Sequence, residues 1–258
     1  MSWMFPRRSG IRAPEPREWI LGALYLPVFL FFLNFAILAY FPALGFPLTE
    51  PRNYFFANLL YMTVNFAVML LIFRRTLWQS LREFEGKMLL SVLIGFGMCY
   101  GANLVLTTAY TVLDIMPENY NQEAVNSLLG GYPLAMTLCT VVLAPLAEEC
   151  LFRGVLFAPL ARRCLPAAYA LSMFLFAGMH VFQFLGSMTA ANTILCLSLY
   201  LPASFSLCWV YQKTGNIWAC IFLHMFINFQ SVLASLLRSL MHLFWLTTQP
   251  KTNYDQHL

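Results

Sequence analysis

Apolar positions in this chain gather into long unbroken runs, with few of the short alternations that mark strands. A membrane-crossing helix needs about 20 mostly apolar residues. Runs of that kind occupy Trp19–Phe41, Asn53–Phe73, Met88–Leu113, Tyr132–Leu160, Pro166–Leu185 and Ala190–Tyr211. The last stretch, Asn216–Leu246, exceeds one ordinary span. It reads either as one tilted helix or as a span ending near Arg238 followed by a shorter segment. The pattern predicts an all-α, polytopic integral-membrane helix bundle of seven to eight transmembrane helices. The first run lacks a convincing cleavage site and is expected to be a retained helix rather than a signal peptide. No internal repeat, low-complexity tract or loop long enough for a separate soluble domain is present.

Composition agrees. Of the 258 residues, 60% are hydrophobic and 10% charged, against about 25% charged in soluble domains. The formal net charge of +4 is modest. No basic run interleaved with aromatic residues suggests a nucleic-acid partner. The seven cysteines show no CxxC pair and no cysteine–histidine metal spacing. They read as small core hydrophobes, without disulfides. Positive charge is distributed unevenly. Arg7, Arg8, Arg12 and Arg17 precede the first span; Arg74, Arg75, Arg82 and Lys87 lie between the second and third. Arg162 and Arg163 follow the fourth, and Lys213 the sixth. All share one side, and the other side receives Arg52 and the Asp114–Gly131 loop, which has acids but no Lys or Arg. The positive-inside rule then predicts a cytoplasmic N-terminus.

Against this apolar background, "LAEECLFRGVLF" places Glu148, Glu149 and Arg153 within a predicted span. A charged side chain at the bilayer centre costs about 2.5–3.5 kcal/mol on insertion scales, so it needs a partner, a wet cavity or a function. Glu149 and Arg153 are four apart and share a helix face, whereas Glu148 points roughly 100° away. An unpaired carboxylate in a partly dry site suits a general base. The expected division is Glu148 as base, with Glu149 and Arg153 as a supporting ion pair. "FLFAGMHVF" places Phe176 and His180 four apart, the first as a wall of the site. "HMFIN" places His224 and Asn228 four apart, an imidazole and an amide able to donate to an oxyanion. Counting inward from the flanking charges and turns, Glu148, His180 and His224 lie 11 to 14 residues deep. That is roughly 16–21 Å at about 1.5 Å per residue, so they could meet at one level. Gly154 and Pro159 are expected to bend the fourth span after the glutamates. Asn34, Asn58, Asn65 and Asn103 read as interhelical hydrogen bonders.

The ordered set EExxxR, FxxxH and HxxxN on successive hydrophobic segments resembles the CPBP group, the CAAX proteases and bacteriocin-processing enzymes also called type II CAAX prenyl endopeptidases or Abi-type intramembrane proteases. The resemblance spans about Tyr132 to Gln230, including the lead-in "TGNIWACIFLH". It implies an intramembrane endopeptidase in which Glu148, His180, His224 and Asn228 are the essential residues. It also implies a membrane-anchored peptide or protein substrate, cleaved by glutamate/histidine-activated water in CAAX-type or related C-terminal processing. The expected location is a bacterial inner (plasma) membrane. Glu148, His180 and His224 could hold zinc, although HExxH is absent and a metal-free site would use the same residues. The expected layout is three N-terminal spans over residues 1–131, a catalytic core over 132–230 and a C-terminal helix and tail over 231–258. The alternatives are a non-catalytic immunity or scaffold protein of the same fold, and a transporter or proton relay.

Overall fold

The computed structural model describes residues 11–248. Arg7 and Arg8, counted above for orientation, lie outside the described residues, as does the side chain of His242. Two long helices, α1 (Pro16–Ala43) and α2 (Pro51–Ile72), are followed by a short one, α3 (Arg74–Arg82). Next come α4 (Lys87–Val112) and another short helix, α5 (Tyr120–Gly131). Then α6 (Pro133–Ala161), α7 (Leu165–Ser187), α8 (Ala190–Thr214) and α9 (Ile217–Thr248) complete the chain. All except α3 and α5 are long and apolar enough to cross a membrane, which makes seven spans among the described residues. The protein is an all-α, multi-pass integral membrane protein. The over-long final run is one continuous helix, so the alternative with a break near Arg238 is not realised.

Run length gave no sign of the two short helices. In α3 the buried positions are Thr76, Leu77 and Ser80, with Phe73 just before them, and Arg74, Arg75 and Trp78 face outward. That spacing of three and four is an amphipathic helix lying on the bundle. Its first turn is held by the buried Glu18 of α1, which accepts from Arg75 N (3.0 Å), Thr76 N (3.2 Å) and the Thr76 hydroxyl. A carboxylate there satisfies free N–H groups and opposes the positive end of the helix dipole. In α5 the side chain of Asn119 accepts from Gln122 N at 3.1 Å and caps the helix.

The "TGN" lead-in has a direct physical reading. Gly215, at φ +62°, ends α8 in the left-handed conformation that glycine adopts without strain. Asn216 then caps α9, its Oδ1 accepting from Trp218 N (2.9 Å) and Ala219 N (3.3 Å). Ser80 of α3 donates to the same oxygen at 2.8 Å, and Asn216 Nδ2 donates to the Ser80 carbonyl at 2.7 Å. The start of α9, and with it the azimuth of His224, is therefore fixed to α3.

Helix α6 carries most of the charge and is the least regular. It widens into π-helix at Cys139–Leu143 and again at Cys150–Phe157. Such segments are rare and are found mostly at functional sites. Each is followed by a proline, Pro145 and Pro159. A proline has no N–H, so a carbonyl behind it loses its partner in the helix. Ala144 N bonds Cys139 O, five residues back. In that register Pro145 leaves the Thr140 carbonyl free, and Asn228 Nδ2 of α9 donates to it at 2.8 Å. Ala158 N likewise bonds Arg153 O, five residues back, so Pro159 leaves the Gly154 carbonyl without that partner; the next carbonyl, Val155, accepts from Trp19 Nε1 of α1 at 3.0 Å. Trp19 thus makes a specific bond in addition to the interfacial anchoring its position suggests. The stretch after the glutamates, where Gly154 and Pro159 lie, is π-helical up to Phe157.

One buried core joins α1, α2, α6, α7, α8 and α9, with Phe29, Met69, Phe73, Phe152, Phe176, Leu207 and Ile221 among its members. Close approach at its centre requires glycine. A Cβ on Gly22 would meet Val155 Cγ2 at 2.6 Å, and one on Gly154 would meet Phe73 Cε1 at 2.8 Å. Gly97, by contrast, faces open space. Gly154→Val is therefore expected to destabilise the fold by about 1–3 kcal/mol through overpacking, while Gly97→Ala is close to neutral. Denaturant unfolding of the two variants in detergent micelles checks the contrast.

Candidate functional site

Arg153 is wholly buried and sets the geometry around it. Its Nε lies 3.1 Å from Glu149 Oε2, and Nη1 donates to Glu149 Oε1 at 3.2 Å. Nη2 reaches α8, donating to the Ser204 carbonyl (3.2 Å) and hydroxyl (3.3 Å). The Phe176 ring covers the guanidinium, with Cζ 5.0 Å from its centroid. Glu149 also bonds His224, Nδ1 to Oε1 at 2.8 Å. One carboxylate thus links an arginine on its own helix to an imidazole on α9. Glu149 supports more than the predicted ion pair, and this second partnership was beyond sequence reasoning.

Glu148 is placed differently. Its carboxylate lines a cavity of about 520 Å³ together with His180, Asn228, Thr140 and Tyr200. The atom nearest to a partner is His224 Nε2, 3.8 Å from Glu148 Oε2, too far for a hydrogen bond. Oε2 is buried without a hydrogen-bond partner. His224 is itself buried and stands behind the cavity wall between the two glutamates, with Nδ1 toward Glu149 and Nε2 toward Glu148.

His180 sits near the end of the α-helical part of α7, its Nδ1 2.8 Å from the Phe176 carbonyl. Phe176 packs against both imidazoles, at 4.9 Å from His180 and 5.6 Å from His224 between ring centroids. Its ring lies against Arg153 and both imidazoles and is not among the cavity-lining residues. Asn228 faces the cavity but commits one N–H to Thr140; its amide nitrogen keeps a second.

Sequence reasoning missed several cavity residues, among them Tyr61, Thr140 and Tyr200. Asn34, Asn58 and Asn65 line it too. Of the four asparagines expected to bridge helices, Asn65 does so, accepting from Tyr25 at 2.9 Å. Asn58 and Asn103 bond instead within their own helices, to Tyr54 O and Cys99 Sγ, because their partners four residues back are nearer.

Zinc would need three converging ligands. Among the described residues no three His, Cys, Asp or Glu side chains come together to hold a metal ion. Glu148, His180 and His224 do not fit a zinc site in this arrangement, since the three do not converge on one point.

Comparison with known proteins follows this geometry. Residues 130–230, the stretch holding all three motifs, match the family described as "Type II CAAX prenyl endopeptidase Rce1-like". That stretch is similar to the family's conserved region. A Bacillus subtilis (strain 168) protein named "Putative membrane peptidase YdiL" is 28% identical over 166 residues. That match covers 62% of this chain and 64% of the relative, somewhat under two thirds of its length. No solved structure matches. The matched stretch takes in α6 to α8 and the first half of α9, so Glu148, Glu149, Arg153, His180 and His224 all fall within it.

Two expectations follow. Glu149→Ala leaves Arg153 and His224 buried without their carboxylate and is expected to lower stability by about 3–5 kcal/mol, with Glu149→Gln recovering part of it; unfolding midpoints in detergent provide the check. Purified protein is expected to carry no stoichiometric zinc, as read by elemental mass spectrometry.

Proposed function

We propose that this protein is an intramembrane endopeptidase whose general base is Glu148. The observation that carries the reading is a buried carboxylate oxygen without a hydrogen-bond partner on the wall of a cavity shared with His180 and Asn228. A carboxylate there is available to a water and a peptide, while its neighbour Glu149 is turned away from the cavity, its Oε1 accepting from Arg153 and His224 and its Oε2 paired with the Arg153 charge.

In this mechanism Glu148 takes a proton from water as the oxygen forms a bond to the scissile carbonyl carbon. His180, whose Nδ1 proton is held by the Phe176 carbonyl, offers Nε2 as acceptor to the same water. The free N–H of Asn228 stabilises the oxyanion; His224, expected from its spacing to share that role, stands behind the wall and supports the base from there, its Nε2 3.8 Å from Glu148 Oε2. Donors of that kind are worth about 2.7–4 kcal/mol each in other hydrolases. The tetrahedral intermediate then collapses: the C–N bond breaks, and the proton on Glu148 passes to the leaving nitrogen.

The substrate in this reading is a membrane-anchored peptide or protein, because the site lies within the spans and no separate capturing domain exists among the described residues. CAAX-type or related C-terminal processing is the family-level expectation. The charge distribution supports a cytoplasmic N-terminus, and a bacterial inner membrane is the proposed location. Seven spans keep Arg12, Arg17, α3, Lys87, Arg162, Arg163 and Lys213 on one side.

Glu148→Ala is expected to abolish cleavage while leaving folding and insertion intact, since no hydrogen bond is lost. Comparative proteomics of wild-type and Glu148→Ala cells should show membrane-bound fragments present only in the wild type. Wild-type fragment levels in Glu148→Ala cells would exclude Glu148 as the base and favour the non-catalytic scaffold alternative.

A further inference from the structure

On α8, Asn192, Cys196 and Tyr200 are four residues apart and share one face. All three hold the chain at the head of α5. Asn192 Nδ2 donates to the Glu118 carbonyl at 3.1 Å, and its Oδ1 accepts from Glu118 N at 2.9 Å. Cys196 Sγ donates to the same carbonyl at 3.2 Å. One turn further, the Tyr200 hydroxyl donates to Asn119 Oδ1 at 3.0 Å and accepts from Asn121 Nδ2 at 3.2 Å. Asn119 is also the cap of α5. The phenol is therefore held at its outer end by two amides that belong to a folded helix terminus.

The face of that phenol lies on His180, with centroids 4.5 Å apart and the rings 24° from parallel. The Phe176 carbonyl, which can only accept, meets Nδ1 at 2.8 Å and so places the proton there. His180 is held by one edge and one face, and Nε2 is left unengaged.

We propose that Tyr200 is a positioning residue for His180, clamped by Asn119 and Asn121 so that the imidazole keeps one orientation and one tautomer. Its effect on cleavage rests on the endopeptidase reading; its effect on His180 does not. A residue outside the three motifs would thereby carry the state of α5, which itself lines the cavity through Asn121 and Gln122, to the site.

The test uses full-length protein labelled with ¹⁵N-histidine in lipid nanodiscs. The chain has four histidines, and His180→Gln assigns the signals. Wild type is expected to show His180 as the Nδ1-protonated tautomer, with a ring-to-ring contact to Tyr200. Tyr200→Leu should average its two nitrogen signals, and Tyr200→Phe, which keeps the ring, should preserve most of the splitting. Asn119→Ala should loosen His180 no more than Tyr200→Phe does and add little in the Tyr200→Phe background, because the phenylalanine already lacks the bond to Asn119. In cells, Glu148-dependent fragments should fall on the order of tenfold to a hundredfold in Tyr200→Leu, the scale of a mispositioned catalytic group. Averaged His180 signals in the wild type, or unchanged ones in Tyr200→Leu, would overturn the inference. Where Tyr200→Leu does not fold, absence of the Tyr200–His180 ring contact in the wild type overturns it equally. A locked His180 without any Glu148-dependent fragments would uphold the clamp and remove the peptidase reading.

Discussion

The structure depends on keeping one guanidinium inside an apolar bundle. Arg153 has no access to solvent, and a lone buried cation would be strongly destabilising. Glu149 supplies the counter-charge, Ser204 accepts from Nη2, and Phe176 covers the face. The three come from α6, α8 and α7, so satisfying the arginine also sets how those helices meet. Because Glu149 then accepts from His224, α9 is drawn into the same cluster. Glu148 is left as the unengaged member of the pair.

Irregular backbone reinforces this arrangement. The two π-helical stretches of α6 bracket the glutamates, and each exposes a carbonyl that another helix must satisfy. Trp19 reaches in from α1 and Asn228 from α9. Asn228 therefore has two aspects, a structural N–H toward Thr140 and a second toward the cavity. The glycine contacts of Gly22 and Gly154 with Val155 and Phe73 bring α1 and the end of α2 close enough for the tryptophan bond. Residues ahead of the recognised motifs thus help shape α6.

Much of the architecture was legible in the sequence because bilayer thickness imposes run length directly. The final run was ambiguous only because 32 residues is long for one crossing. Helices α3 and α5 were not legible by that measure, being too short to span; their signals were the 73–76–77–80 stripe and the Asn119 cap. At the site, the spacing of four between Glu149 and Arg153 announced an ion pair, and the pair is present. The His224–Glu149 bond was not accessible, since no local pattern joins residues 75 positions apart. The π-widening was hidden as well, since two prolines do not announce in which register the helix meets them. Tyr200 had a signal, the series Asn192, Cys196, Tyr200, but nothing in the chain said what that face meets.

The two carbonyls of α6 that are bonded from other helices bear on how the chain is assembled during synthesis. Trp19 is already made when α6 enters the membrane, so the Val155 carbonyl can find its donor at once. The Thr140 carbonyl cannot, because Asn228 is translated 88 residues later. Until α9 arrives, the middle of α6 holds a bare peptide oxygen beside two carboxylates and is ill suited to sit against lipid. Early insertion of this helix therefore calls for a sheltering surface or a hydrated groove, and the last span to emerge is the one that releases it into the bilayer.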